Sequence, residues 1–120
     1  MRDKLVGKKP VSQMSEKEKE ECRLVAELIA EAYLDKHTIA DFLGLDERIV
    51  RDRVAKIAQR RPVIASSGKK GYKLAQGVED VYLAKQTIAE SKSRIREIKK
   101  RIRPLEKFVE EYDDTYEQSR

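Results

Sequence analysis

Ile39-Ala40-Asp41-Phe42-Leu43-Gly44-Leu45-Asp46 is a short apolar segment that ends on a glycine, and Val50, Val54 and Ile57 follow it at helical spacing. Two helices crossing steeply through a tight turn impose a demand at each of these positions. Ala40 must be small where the helices touch, Gly44 supplies the positive φ of the turn, and Leu43 and Leu45 plug its underside. Val50 and Val54 seat the second helix on a core. Thr38 is the expected cap of the short helix from Ile39 to Leu43, and Asp46 that of the next. This longer helix should run from Glu47 to about Gln59 and stop before Pro62.

Upstream, Ser15-Glu16-Lys17-Glu18 has the form of a capping box, in which the Ser15 hydroxyl and the Glu18 carboxylate satisfy two orphan amides at a helix start. Cys22, Val25, Leu28, Ile29 and Ala32 then recur at three- and four-residue spacing, which predicts an amphipathic helix ending near Asp35–Lys36. Downstream the period changes from helical to alternating. Val63-Ile64-Ala65-Ser66 and Tyr72-Lys73-Leu74-Ala75 flank Ser67-Gly68-Lys69-Lys70-Gly71, the pattern of two short strands joined by a glycine-bearing loop, with Tyr72 and Leu74 turned inward. The expected fold is mainly α with a small β-hairpin, followed by a long C-terminal amphipathic helix. Residues 1–14 form a basic arm, 15–77 the domain, 78–112 the helix, interrupted at Pro104, and 113–120 a frayed tail.

Charged residues make up 41% of the 120-residue chain and hydrophobic ones 39%, with no tryptophan, so the core must be thin and aliphatic. The net charge of +5 is unevenly spread. Residues 37–77 carry nine basic and four acidic side chains, and residues 78–103 eight against four, whereas 15–36 and 104–120 are net acidic. A basic middle between acidic flanks points to a phosphate-facing patch. Cys22 is the only cysteine, which excludes an intrachain disulfide and suits a reducing, cytoplasmic compartment, and its place in the apolar stripe makes it a small core residue. No window approaches the roughly 18 apolar residues of a membrane span, and the first 14 residues lack the apolar run of a signal peptide.

The turn segment 39–46, together with Pro62-Val63-Ile64-Ala65-Ser66-Ser67-Gly68-Lys69-Lys70-Gly71-Tyr72-Lys73-Leu74, resembles the winged helix-turn-helix family. Its Gly-Tyr-Lys-Leu return strand is similar to that of the N-terminal domains of biotin-operon repressors and of small phage- or prophage-encoded DNA-binding proteins. The resemblance covers about half the chain. It implies double-stranded DNA as partner, with the third helix in the major groove. Arg48, Ile49, Arg51 and Asp52 are then the expected base-reading set: the arginines match guanine, Ile49 meets a thymine methyl, and Asp52, like Glu47, holds an arginine in place. Thr38, Lys56, Arg60, Arg61, Lys69, Lys70 and Lys73 are the expected phosphate contacts. Such a protein would serve as a transcriptional regulator or a phage-type accessory factor. The alternative is a winged helix used as a protein-interaction module in a larger packaging or replication assembly.

Other chemistry finds little support. Gly68-Lys69-Lys70-Gly71 precedes a strand rather than a helix and lacks a following Ser or Thr, which sets it apart from a nucleotide-binding loop. His37 is the only histidine and has no cysteine near it in sequence, so it reads as an exposed turn residue rather than a zinc ligand or a catalytic base. No enzyme, cofactor, metal or small-molecule ligand is expected.

In the C-terminal helix a heptad reading from Val81 places Val81, Ala84, Ile88, Ser91, Ile95, Ile98, Ile102, Leu105, Val109 and Tyr112 at a and d. Val78, Tyr82 and Ala89 form an adjacent stripe expected to pack on the domain. Ile95, Ile98, Ile102, Leu105, Val109 and Tyr112 are the expected homodimer seam. A parallel pair would set basic flanks together. An antiparallel pair centred near Pro104, or a fold-back there, would set residues 92–103 against the acidic 106–117.

Overall fold

The computed structural model describes residues 13–66 and 70–113. The first helix, α1 (Glu16–Glu31), starts on the expected capping box: Glu18 N donates to Ser15 Oγ at 3.1 Å and Ser15 N to Glu18 Oε1 at 2.9 Å. It ends four residues short of Asp35 because Leu34 is drawn into a strand contact. Leu34 N donates to Tyr72 O at 3.1 Å and Tyr72 N to Leu34 O at 2.8 Å, an antiparallel bridge between the exit of α1 and the hairpin. A backbone pairing with a residue almost forty positions away outweighs local helix propensity here.

Helix α2 (Lys36–Leu43) begins three residues before Ile39. Its cap is Asp35, not Thr38, since Asp35 Oδ1 accepts the Thr38 amide at 2.7 Å. It closes at Gly44 in the left-handed conformation, φ 68°, and Leu45 N donates back to Ala40 O at 3.0 Å. Asp46 precedes α3 (Glu47–Ala58) without a side-chain capping bond. Val25, Ala26 and Ile29 of α1, Ile39 and Ala40 of α2, and Val50, Val54 and Ile57 of α3 form one core, closed from the hairpin side by Leu74. Cys22 packs at its edge, where burial pushes the thiol pKa up.

The hairpin pairs β1 (Val63–Ile64) with β2 (Lys73–Leu74), antiparallel, Val63 opposite Leu74 and Ile64 opposite Lys73. Both strands are shorter than their alternating patterns. Leu74 points inward and Tyr72 packs partly buried on the core. A 3₁₀ turn at Val78–Asp80 leads into α4 (Val81–Tyr112), which runs unbroken through Pro104 rather than being interrupted there. Proline removes one backbone donor and crowds the carbonyl four residues earlier, a cost of about 3 kcal/mol, borne here by a 32-residue helix whose neighbouring positions are strong helix formers.

The chain divides into two compact units, one through Thr87 and one from Ile88 onward. The first two turns of α4 belong to the first unit and are tied to it by polar contacts: Ala65 N donates to Thr87 Oγ1 at 3.1 Å, and Ser66 Oγ to Gln86 Oε1 at 3.0 Å. These bonds turn Leu83, Ala84, Gln86 and Thr87 toward the domain. The stripe expected to pack there faces solvent instead, with Val78 85% and Tyr82 69% exposed. Among the described residues no helix is long and apolar enough to cross a membrane.

Candidate nucleic-acid interface

Helix α3 presents two faces of opposite character. The inner face carries Val50, Val54 and Ile57 and also two charged residues, Arg53 and Lys56, only 9% and 5% exposed. Charges at that depth require partners. Arg53 is gripped by Glu21 of α1, whose Oε1 accepts from Nε at 2.9 Å and from Nη2 at 2.8 Å, and by Asp52 through Nη1. Lys56 Nζ donates to both oxygens of Asp52, at 3.1 and 3.2 Å. Burial alone would raise the Asp52 pKa, but Lys56 and Arg53 outweigh it and hold the carboxyl below its ordinary range.

These contacts correct two of the expected roles. Lys56 is an internal cation held by Asp52, not a phosphate contact. Asp52 does hold an arginine, but that arginine is the buried Arg53 and not Arg48 or Arg51. Lys73 departs from expectation in the same way. Its ammonium donates to Asp80 Oδ2 at 3.0 Å and to Leu74 O at 3.1 Å, and Asp80 is itself buried and accepts the Gln76 amide at 2.9 Å. A lysine so occupied ties the hairpin to the start of α4.

The outer face of α3 is different. Arg48, Arg51 and Ala55 are exposed at three- and four-residue spacing, so they share one stripe. Neither arginine makes an ion pair with another described residue. Ala55 keeps the C-terminal end of the stripe low, and Ile49 lies half-buried beside the stripe. Arg60 and Arg61 are exposed in the turn that closes α3, where both amides donate to Ile57 O. Lys70 is exposed on the return of the hairpin, and Lys69 lies outside the described residues. Thr38 is exposed in the first turn of α2.

Lys70 also lines a cleft of about 400 Å³ with Lys36, His37, Ser66 and Tyr72, between the start of α2 and the hairpin. No local pattern brought these residues together; the Leu34–Tyr72 bridge does. His37 Nδ1 lies 2.8 Å from Glu47 Oε2, and its Nε2 is 3.5 Å from Asp41 Oδ2. The hydrogen bond to Glu47 and the charge of Asp41 raise the His37 pKa above its ordinary 6.5. A raised folded-state pKa means the contribution of this pair is full below about 6.5 and is lost as pH rises through the higher folded value. A proton NMR titration of the imidazole should give a midpoint above 6.5 that moves back toward 6.5 in Glu47→Gln. Identical midpoints in the two proteins would remove Glu47 as the cause.

In the second unit, the seam residues Ile95, Ile98, Ile102 and Leu105 are 41–66% exposed, Tyr112 is exposed and Val109 half-buried. Among the described residues no group of three or more His, Cys, Asp or Glu side chains is placed to hold a metal ion. Compared with protein-family profiles, with curated proteins and with solved structures, the chain gives no match in any of the three.

Proposed function

We propose that the unit ending at Thr87 binds double-stranded DNA in the manner of a winged helix-turn-helix, with α3 in the major groove, and that the protein acts as a transcriptional regulator or DNA-binding accessory factor. One observation carries this reading: the exposed Arg48–Arg51–Ala55 stripe keeps its positive charge, while both carboxylates of α3 are already engaged, Asp52 by Arg53 and Lys56, and Glu47 by His37. An approaching phosphate backbone therefore meets cations whose charge is not cancelled locally. Arginine forks suit guanine O6 and N7, and the small Ala55 permits close approach to the groove floor. Arg60, Arg61 and Lys70 extend the positive surface for contacts that hold position rather than read sequence.

Anisotropy titrations of labelled duplexes over a range of salt test the reading. Affinity should fall steeply with salt, and a selected site should bind more tightly than random duplex. Arg51→Ala should then weaken binding to the selected site by roughly 1–3 kcal/mol while leaving random duplex nearly unchanged, because a base-reading arginine acts only on the right base. Equal losses on both duplexes would remove Arg51 from the reading set. Absence of any salt-sensitive duplex binding would overturn the proposal.

A second reading rests on a different groove, about 200 Å³, floored by Met14, Cys22, Ala26 and Ile57 and rimmed by Lys19, Arg60 and Arg61. An apolar floor inside a basic rim fits an acidic protein segment that inserts one apolar side chain. Salt-sensitive binding of an acidic peptide that survives loss of Arg48 and Arg51 but not of Arg60 and Arg61, with no preference among duplexes, would favour this reading over the first.

A further inference from the structure

The second unit offers an apolar seam that no other described residue of that unit covers. No residue of α4 is buried, and the helix passes through Pro104 without turning back, so a fold-back at that residue does not close the seam. The stripe of Ile95, Ile98, Ile102, Leu105, Val109 and Tyr112 is continuous over about 27 Å of helix. Its flanks carry a sign pattern that changes once, at Pro104. Residues 92–103 include Lys92, Arg94, Lys99 and Arg101 beside the seam, whereas Glu106 and Asp113 occupy the equivalent flanking places beyond it.

We infer that this seam pairs antiparallel with a second copy of the chain, in the register that sets Ile102 against Leu105, Ile98 against Val109 and Ile95 against Tyr112, each pair occurring twice about a two-fold axis between residues 103 and 104. The charges select this register. In an antiparallel pair, positions on the same flank face each other across the interface. Lys99 then lies opposite Glu106 of the second copy and Lys92 opposite Asp113, while Arg101 meets the exposed ring of Phe108, an arrangement suited to a cation–π contact. Sliding by one heptad in one direction sets Lys99 against Lys99 and Arg101 against Arg101. Sliding in the other sets Glu106 against Glu106. A parallel in-register pair sets Arg94 against Lys99. Only the stated register has no like-charge pair on either flank.

A strip that is basic at one end and acidic at the other complements its own reverse, which is the requirement of a two-fold interface. Pro104 falls at a heptad position on the side away from the seam, so the backbone carbonyl it leaves unbonded faces water. The inference does not depend on the DNA reading.

Charge exchange on the full-length chain, followed by sedimentation, tests it. Wild type should be dimeric at tens of micromolar. Lys99→Glu alone should weaken the dimer about tenfold, by facing Glu106, and Glu106→Lys alone by a similar factor, by facing Lys99. An equimolar mixture of the two variants should recover wild-type affinity as a heterodimer, because both facing pairs are then of opposite sign. Ile98→Glu should give monomers with the helical circular dichroism of wild type retained. A wild type that sediments as a monomer, a Lys99→Glu dimer tighter than wild type, as a parallel pair would give, or a mixture no tighter than its components would each overturn the inference.

Discussion

Arg53→Ala should cost the domain about 3 kcal/mol, a large share of the stability that a unit of this size can hold. The guanidinium is the link between α1 and α3, held by Glu21 on one side and Asp52 on the other. Its removal leaves Glu21, 8% exposed, as a buried carboxylate without its main cation. Most of the cost is that of the stranded charge, so it should be largely reversed when the charge is removed too. Glu21→Leu combined with Arg53→Leu should return to within about 1 kcal/mol of wild type, since well-packed apolar replacements of buried ion pairs are often neutral. Urea denaturation followed by labelling of Cys22, the sole cysteine, reports opening of this unit. A single variant that loses less than 1 kcal/mol, or a double variant no better than the single, would show that the pair is not the tie between these helices.

Gly71→Ala is the second large effect. Gly71 sits at φ 104°, and a Cβ there would stand 2.6 Å from both the carbonyl carbon and oxygen of Leu34 and 2.9 Å from Asp35 N. All of these are backbone atoms, held in place by the Leu34–Tyr72 bridge, so the clash is relieved only by moving one chain off the other. The expected loss is about 2–4 kcal/mol, with the amides of Leu34 and Tyr72 losing their protection from hydrogen exchange. Gly44→Ala is the control. It has the same sign of φ, 68°, but nothing lies within 4 Å of its Cβ, so only conformational strain of about 1 kcal/mol applies. Equal losses at the two positions would mean that the close approach at Gly71 is relieved at no cost.

What could be read from the sequence was what neighbouring residues decide among themselves. Ser15 and Glu18 satisfy each other three residues apart, Gly44 follows the last apolar residue of its helix, and Val50, Val54 and Ile57 mark the inner face of α3. The same spacing also put Arg53 on that inner face, between Val50 and Ile57, but charge concealed a position that periodicity had marked as buried. Lys56 and Lys73 could not be separated from surface cations, because their burial depends on Asp52 and Asp80 turning toward them. The early end of α1 and the cleft beside Lys70 both follow from the pairing of Leu34 with Tyr72, a contact between segments with no shared local pattern. Arg48 and Arg51 were legible as outer residues because subtracting an inner face from a helix leaves an outer one.

The separation of the two faces of α3 has an evolutionary meaning. Positions 50, 53, 54 and 57 are constrained by the core and by Glu21, whereas 48, 51 and 55 touch neither. Substitutions in the second set should therefore accumulate without eroding the fold, and a lineage carrying this domain can drift toward new ligands while its scaffold stays fixed. A library randomised at 48, 51 and 55 alone explores that freedom directly, with almost every member expected to fold.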